Sequence, residues 1–65
     1  MSAKTFGEIE TTNEIEIEHG LALLTIPKNT SGFIQRRLGA NLVEVYLPSL
    51  DSTVNIFEQD FREVG

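Results

Sequence analysis

Hydrophobic and polar residues alternate most regularly over residues 14–18, where two isoleucines are interleaved with Glu14, Glu16 and Glu18. A period of two places the isoleucines on one face of a β-strand and the glutamates on the other, which predicts a half-buried strand with one solvated face. His19 and Gly20 follow, and residues 21–26 form an apolar run. Two strand-like runs around a short glycine-containing turn predict a β-hairpin, with His19 and Gly20 at the central turn positions.

The rest of the chain divides into short strand-like segments separated by turn residues. Pro27 has no backbone N–H to donate, so we expect it to end the second hairpin strand. Residues 28–32 have the composition of a loop. We expect a helical turn at 58–61, turns at 38–41 and 48–52, and further strands at 33–37, 42–47, 53–57 and 62–64. The side chains expected to face inward are Val43, Val45, Leu47, Val54 and Ile56.

Two of these segments also fit a helix. Ser31 could cap a short helix over residues 32–38 that ends at Gly39. A second possible helix has Ser52 as its N-cap residue, and its apolar side chains at helical spacing would be Val54, Phe57, Phe61 and Val64. We favour strands in both places, because residues 53–57 have weak intrinsic helix propensity.

These segments predict one mostly β domain over residues 1–65, with residues 1–5 disordered. Five or six short antiparallel strands, spaced by about 8–12 residues, are typical of a small barrel in which closure hides the strand edges. Residues 32–64 resemble the second half of the SH3-like small barrels of the KOW and Tudor type. The residues that carry this resemblance are Gly32-Phe33-Ile34, the strand at 43–47 and residues 54–64. In such barrels a single helical turn precedes the last short strand. The N-terminal hairpin departs from the long first loop of that family.

The chain lacks the residue sets that catalysis and metal binding require. It has no cysteine, which excludes disulfides and thiolate zinc sites, and His19 is its single histidine. No nucleophile-and-base motif or phosphate-binding loop is present, so we expect no enzymatic activity, no cofactor and no metal. No apolar run approaches the ~20 residues of a membrane span and no signal peptide is recognised, so we expect a cytoplasmic protein without a membrane partner.

The charge is acidic overall and unevenly distributed. Ten acidic and five basic residues give a net charge of −5, which is repelled by phosphate backbones and disfavours nucleic-acid binding. Residues 21–43 contain no acidic residue, and their basic residues are Lys28, Arg36 and Arg37. The segment 28–37 is therefore the alternative contact region for nucleic acid. Thr25-Ile26-Pro27-Lys28 and Arg37-Leu38-Gly39 are also similar to motifs of the AbrB-like swapped-hairpin DNA binders, although these motifs lie closer together in that family.

The residues expected to contact a partner include a pair of arginines. Arg36 and Arg37 would point to opposite faces of a strand, so one of them would face outward. That side chain could contact a phosphate or carboxylate of a partner. The alternative is a salt bridge at the rim of the domain to Glu44 or Asp60.

Two further groups of side chains are candidates for partner binding. Phe33 and Tyr46 alternate away from the inward positions, and together with Phe57 they would form an exposed apolar patch of the kind that marks interaction sites. The alternative is that these aromatic residues belong to the core. A basic protein surface could also recognise the acidic row of Glu14, Glu16 and Glu18.

From these features we predict a non-enzymatic accessory module that docks on a larger protein partner and modulates the assembly or activity of that partner. The chain is short and has neither disulfide nor structural metal to strengthen its small core, so association with a second copy is also expected. The alternatives are a nucleic-acid-associated domain that uses residues 28–37, and an acidic phage-type inhibitor that mimics nucleic acid.

Overall fold

The computed structural model describes residues 7–64, and of His19 it describes the backbone alone. The expected disorder of residues 1–5 lies outside the described residues. Seven β-strands and one short 3₁₀ turn at Glu58–Asp60 follow one another along the chain. The strands are β1 (Glu8–Thr11), β2 (Ile15–His19), β3 (Ala22–Ile26), β4 (Ser31–Gly39), β5 (Leu42–Leu47), β6 (Ser52–Phe57) and β7 (Phe61–Val64).

The strands form two antiparallel sheets, which confirms the mostly β architecture. The larger sheet has the order β6-β5-β4-β1-β7, and β2 pairs with β3 as a separate hairpin. No pairing joins β6 to β7 within residues 7–64, so the five-stranded sheet is open. The prediction of five or six strands missed β1, which is an interior strand between β4 and β7 although its sequence Glu-Ile-Glu-Thr contains a single large apolar side chain.

The core lies on one face of the five-stranded sheet, beneath the hairpin. The inward positions predicted for β5 and β6 are confirmed, because alternate residues of both strands are buried. Ile15, Ile17 and Leu24 of the hairpin and Leu50 pack against this core and stay partly exposed. The buried apolar residues are Ile9, Ile26, Ile34, Val43, Val45, Leu47, Val54, Ile56 and Phe61.

The strand interpretation is correct at both segments that also fit a helix. Residues 32–38 lie within β4 and residues 53–57 within β6. β4 extends to Gly39, beyond the predicted end at residue 37, and the turn into β5 consists of Ala40 and Asn41. Both turn residues have positive φ angles, 54° and 65°, as the two central residues of a type I′ hairpin turn do. The helical turn predicted at 58–61 is confirmed over Glu58–Asp60.

The turn of the β2–β3 hairpin lies one residue later than predicted. His19 pairs with Ala22 at the end of the ladder, so the two turn residues are Gly20 and Leu21. Gly20 has a φ of 68° at the first central position, where tight hairpin turns require positive φ. Gly20 is thus a central turn residue as predicted, whereas His19 ends β2.

Candidate functional site

The outward face of the five-stranded sheet carries two aromatic side chains directly opposite each other. Val45 and Leu47 are fully buried, so the alternation of β5 turns Tyr46 to the other face. Phe33 of β4 is its cross-strand neighbour and is 38% exposed. Glu8 lies on the far side of Phe33, and Thr53 lies on the far side of Tyr46. The structure therefore brings Phe33 and Tyr46 together outside the core.

The phenol of Tyr46 is held by the turn that follows its strand. The Tyr46 hydroxyl donates a hydrogen bond to Oδ1 of Asp51 across 3.0 Å. Asp51 has a φ of 50°, so its carboxylate is presented by a left-handed residue in the β5–β6 turn. The hydrogen bond to Asp51 raises the pKa of Tyr46, and the negative charge of that carboxylate and partial desolvation raise it further.

Phe57 shares the outward face but lies apart from the aromatic pair. It is opposite Leu42, whereas Tyr46 is opposite Thr53. The two positions are four residues apart along β6, which corresponds to about 13 Å along a strand. The predicted apolar patch of three aromatic residues is thus a pair, with Phe57 as an isolated exposed ring.

Arg36 lies next to the aromatic pair and forms an ion pair across the strands. Its Nε donates to Oε1 of Glu44 across 3.1 Å, and the Arg36 side chain remains 70% exposed. The rim salt bridge to Glu44 expected from the sequence is therefore present. Such an exposed pair contributes little stability, because both charges stay in contact with water.

Arg37 lies toward the opposite face of β4, and its partners differ from those expected. Its guanidinium contacts Glu58 at 3.3 Å and Glu63 at 3.0 Å. The predicted alternative partner, Asp60, instead accepts a hydrogen bond from Asn13 at 3.1 Å. A register shift between Ile34 and Arg36 interrupts the β4–β5 ladder, and a single sequence gives no clear signal of such an irregularity.

The acidic row lies on the hairpin, separate from the aromatic pair. Glu16 and Glu18 face outward opposite Thr25 and Leu23, and Glu14 immediately precedes β2. All three glutamates are exposed. Within the described chain no group of three or more histidine, cysteine, aspartate or glutamate side chains is arranged to hold a metal ion.

The sequence analysis missed the exposed leucines at the tip of the hairpin. Leu21 is fully exposed and Leu23 is 61% exposed. A signal was present in the sequence: residues 21–24 are apolar at every position, so a strand there must place apolar side chains on both faces. On β2 the glutamates occupy the outer face of the hairpin, away from the core. Leu23, which is paired with Glu18, therefore lies on that outer face and stays exposed.

The only helical segment between residues 7 and 64 is three residues long, so the described chain contains no helix suited to crossing a membrane. One depression on the described surface is lined by Ala40, Asn41 and Phe57 together with the 3₁₀ turn. Comparison with known proteins finds no family model, no curated protein and no solved structure that matches this chain.

Proposed function

We propose that this chain is a non-enzymatic interaction module of the cytoplasm, which docks on a larger protein partner through the outward face of its five-stranded sheet. The observation that carries the proposal is the position of Phe33 directly opposite Tyr46, with both rings outside the core. Phe33, Thr53 and Asn55 are all exposed on this face, whereas the hairpin packs against the core on the other. Exposed apolar side chains grouped in this way mark interaction sites, because a bound partner removes them from water.

The residues around this pair support a protein as the partner. Tyrosine and arginine are the residues that most often dominate binding energy at the centre of protein interfaces. Arg36 lies beside the rings and already has a carboxylate partner in Glu44, so it offers its remaining N–H groups to an acceptor on the docking protein. The hydroxyl of Tyr46 is oriented by Asp51, which fixes the ring before binding.

The strand order supports an SH3-like small barrel as the fold of the module. The last strand, β7, pairs with the first strand, β1, and the 3₁₀ turn at Glu58–Asp60 directly precedes it. A single helical turn before the last short strand is the feature that the SH3-like resemblance implies. The β2–β3 hairpin then takes the place of the long first loop, since it lies between β1 and β4 in the chain.

The nucleic-acid alternative finds less support in the geometry. Of the basic residues in the segment 28–37, Arg36 and Arg37 are both bound to carboxylates of this chain. The paired carboxylates offset the positive charge of these guanidinium groups, which reduces their attraction for a phosphate backbone. Lys28 is exposed, but a single lysine supplies little of the salt-dependent affinity that nucleic-acid binding requires.

The test is affinity capture with the full chain as bait, followed by a binding measurement with the purified partner. The variants Tyr46→Ala and Arg36→Glu should each weaken binding of that partner by about tenfold or more, which is typical for residues at the centre of an interface. Arg37→Glu is the matched control, because Arg37 also forms exposed ion pairs, with Glu58 and Glu63, but lies toward the opposite face of β4. A partner that binds all three variants as tightly as the unchanged chain would contradict the proposed surface.

A further inference from the structure

The β2–β3 hairpin has all of its acidic residues on one strand. β2 carries Glu16 and Glu18, whereas β3 contains no charged residue. Each strand pairs only with the other among residues 7–64, so each has one open edge. Edge strands are commonly protected from further pairing by charged side chains. The β2 edge has this protection and the β3 edge lacks it.

The open edge of β3 presents the backbone groups of Leu23 and Thr25. His19 and Ala22 close the two-residue turn and therefore form a hydrogen-bonded pair. Because hydrogen-bonded and non-bonded pairs alternate along an antiparallel ladder, Leu23 and Thr25 belong to non-bonded pairs, and their N–H and C=O groups point away from β2. No backbone hydrogen bond joins either residue to the described residues outside the hairpin.

We propose that two copies of this chain associate by antiparallel pairing of β3 with β3 of the second copy. The two hairpins then form one four-stranded sheet around a twofold axis. Leu23 of each copy forms a hydrogen-bonded pair with Thr25 of the other, because the outward donors and acceptors have the same spacing on both strands. This register places Leu24 opposite Leu24 of the second copy, on the axis.

Charge explains why the second copy pairs with β3 rather than β2. In the β3 pairing, the glutamates lie only on the two outermost strands, three strand spacings or about 14 Å apart. That distance exceeds the Debye length of about 8 Å at physiological salt. Pairing through β2 would instead bring Glu16 and Glu18 of the two copies within about 5 Å. The chain has a net charge of −5, but residues 21–27 contain no charged residue. Two copies can therefore meet through this segment without bringing acidic side chains together.

The apolar side chains of the hairpin favour the same contact. Leu23 is 61% exposed in the single chain, and its cross-strand neighbour on the open side would be Thr25 of the second copy. Leu24, which covers the core only in part, would gain a second apolar neighbour on the axis. A contact of one strand pair buries less than the ~1,200 Å² typical of stable complexes, so the dimer forms only at high protein concentration.

The first test is sedimentation equilibrium of the full chain from micromolar to millimolar concentration. We expect the dimer to appear toward the upper end. Thr25→Pro removes an outward N–H and should raise the dimer dissociation constant by about tenfold or more, because two hydrogen bonds are lost per dimer. Thr25→Val keeps the N–H and should leave that constant unchanged. A chain that stays monomeric at millimolar concentration, or equal dimerisation of the two variants, would overturn the proposal.

The second test reads the register directly and does not depend on the folding of Thr25→Pro. The natural chain has no cysteine, so a single introduced cysteine can form a disulfide only between copies. Leu24→Cys should form a disulfide between the two copies on mild oxidation, since the Cα atoms of residue 24 in the two copies would lie about 4.5 Å apart in the dimer. Ala22→Cys, opposite Ile26 of the second copy, should remain uncross-linked. Cross-linking of Ala22→Cys without that of Leu24→Cys would overturn the proposed pairing.

Discussion

The hydroxyl oxygen of Thr11 accepts a hydrogen bond from the backbone N–H of Thr30 across 2.8 Å. Thr11 is fully buried and Thr30 nearly so. The hydroxyls of both threonines donate to the carbonyl oxygen of Pro27, at 2.8 Å and 2.6 Å, and the backbone N–H of Thr11 donates to the carbonyl oxygen of Thr30. This network fastens the loop after β3 to the end of β1, and so it fixes the base of the hairpin against the sheet.

Replacement of Thr11 by valine should therefore destabilise the fold. Valine has nearly the same shape, but it leaves the buried N–H of Thr30 without its acceptor, at a cost of about 1–3 kcal/mol. Urea unfolding measures this loss as a lower midpoint with an unchanged slope. Thr12→Val is the matched control, because the Thr12 side chain makes no hydrogen bond to another described residue. Equal stability of the two variants would show that the network contributes nothing.

Gly32 permits a close approach of β4 to β5, and its replacement by alanine should also be destabilising. A Cβ at this position would lie 2.8 Å from side-chain atoms of Leu47 and Val45 and 2.9 Å from the carbonyl oxygen of Tyr46. The carbonyl belongs to the β5 backbone and cannot move without distorting the ladder. Overpacking of this kind costs about 1–3 kcal/mol.

The control for Gly32→Ala is Gly7→Ala, measured in the same thermal or urea unfolding experiment. A Cβ at Gly7 would lie 3.2 Å from the terminal carbon of Ile34, which can adjust. The Gly7 variant should lose much less stability than the Gly32 variant. A Gly32→Ala chain as stable as the unchanged protein would mean that the strands separate more easily than this packing implies.

The sequence predicts strands where apolar and polar residues alternate, and fails where tertiary contacts decide. β5 and β6 could be predicted from residues such as Val43, Val45 and Val54. Apolar residues at every second position share one face of a strand, and that face is buried in the core. β1 could not be recognised in the same way. Its only large apolar residue is Ile9, and its other buried side chain, Thr11, is polar and acquires its partners from residues 16 to 19 positions later in the chain.

The candidate site was predictable to a similar extent. The outward position of Tyr46 follows from the burial of Val45 and Leu47, and the pairing of Arg36 with Glu44 follows from neighbouring strands of opposite charge. The hydrogen bond from Tyr46 to Asp51 depends on the left-handed conformation of Asp51, which composition does not specify. The open edge of β3 results from the strand order of the folded chain, and the local sequence of β3 does not indicate which strands it pairs with.

Arg37 links the long strand β4 to the end of the chain, and its removal should cause a small, salt-dependent loss of stability. Its ion pairs with Glu58 and Glu63 are exposed, so Arg37→Gln should cost about 0.2–1 kcal/mol in dilute buffer. The loss should shrink in molar salt, where the Debye length is about 3 Å. The comparison variant is Arg62→Gln, which breaks one ion pair instead of two. A loss for Arg37→Gln that is independent of salt would point to packing rather than charge.

Tyr46 should ionise at higher pH than a free tyrosine, and Asp51 should be the reason. The hydrogen bond and negative charge of Asp51 raise the pKa of Tyr46 above the usual value of about 10. Because the folded pKa is the higher one, the associated stability is fully present below about pH 10 and is lost as the pH rises through the raised pKa. Tyr46 is the only tyrosine and the chain has no tryptophan, so phenolate absorbance reports on this residue alone.

The variant that isolates the effect of the carboxylate is Asp51→Asn. Asparagine tolerates the positive φ of this position and has nearly the same shape, so the turn should be preserved while the charge is removed. The absorbance titration should then move down toward pH 10, and the loss of stability at alkaline pH should begin earlier. Tyr46→Phe should abolish the titration and the Tyr46 contribution to the alkaline loss. A titration of the unchanged chain near pH 10, the usual value for tyrosine, would show that the phenol and the carboxylate are not bonded in solution, and would remove the argument that the ring is oriented before a partner binds.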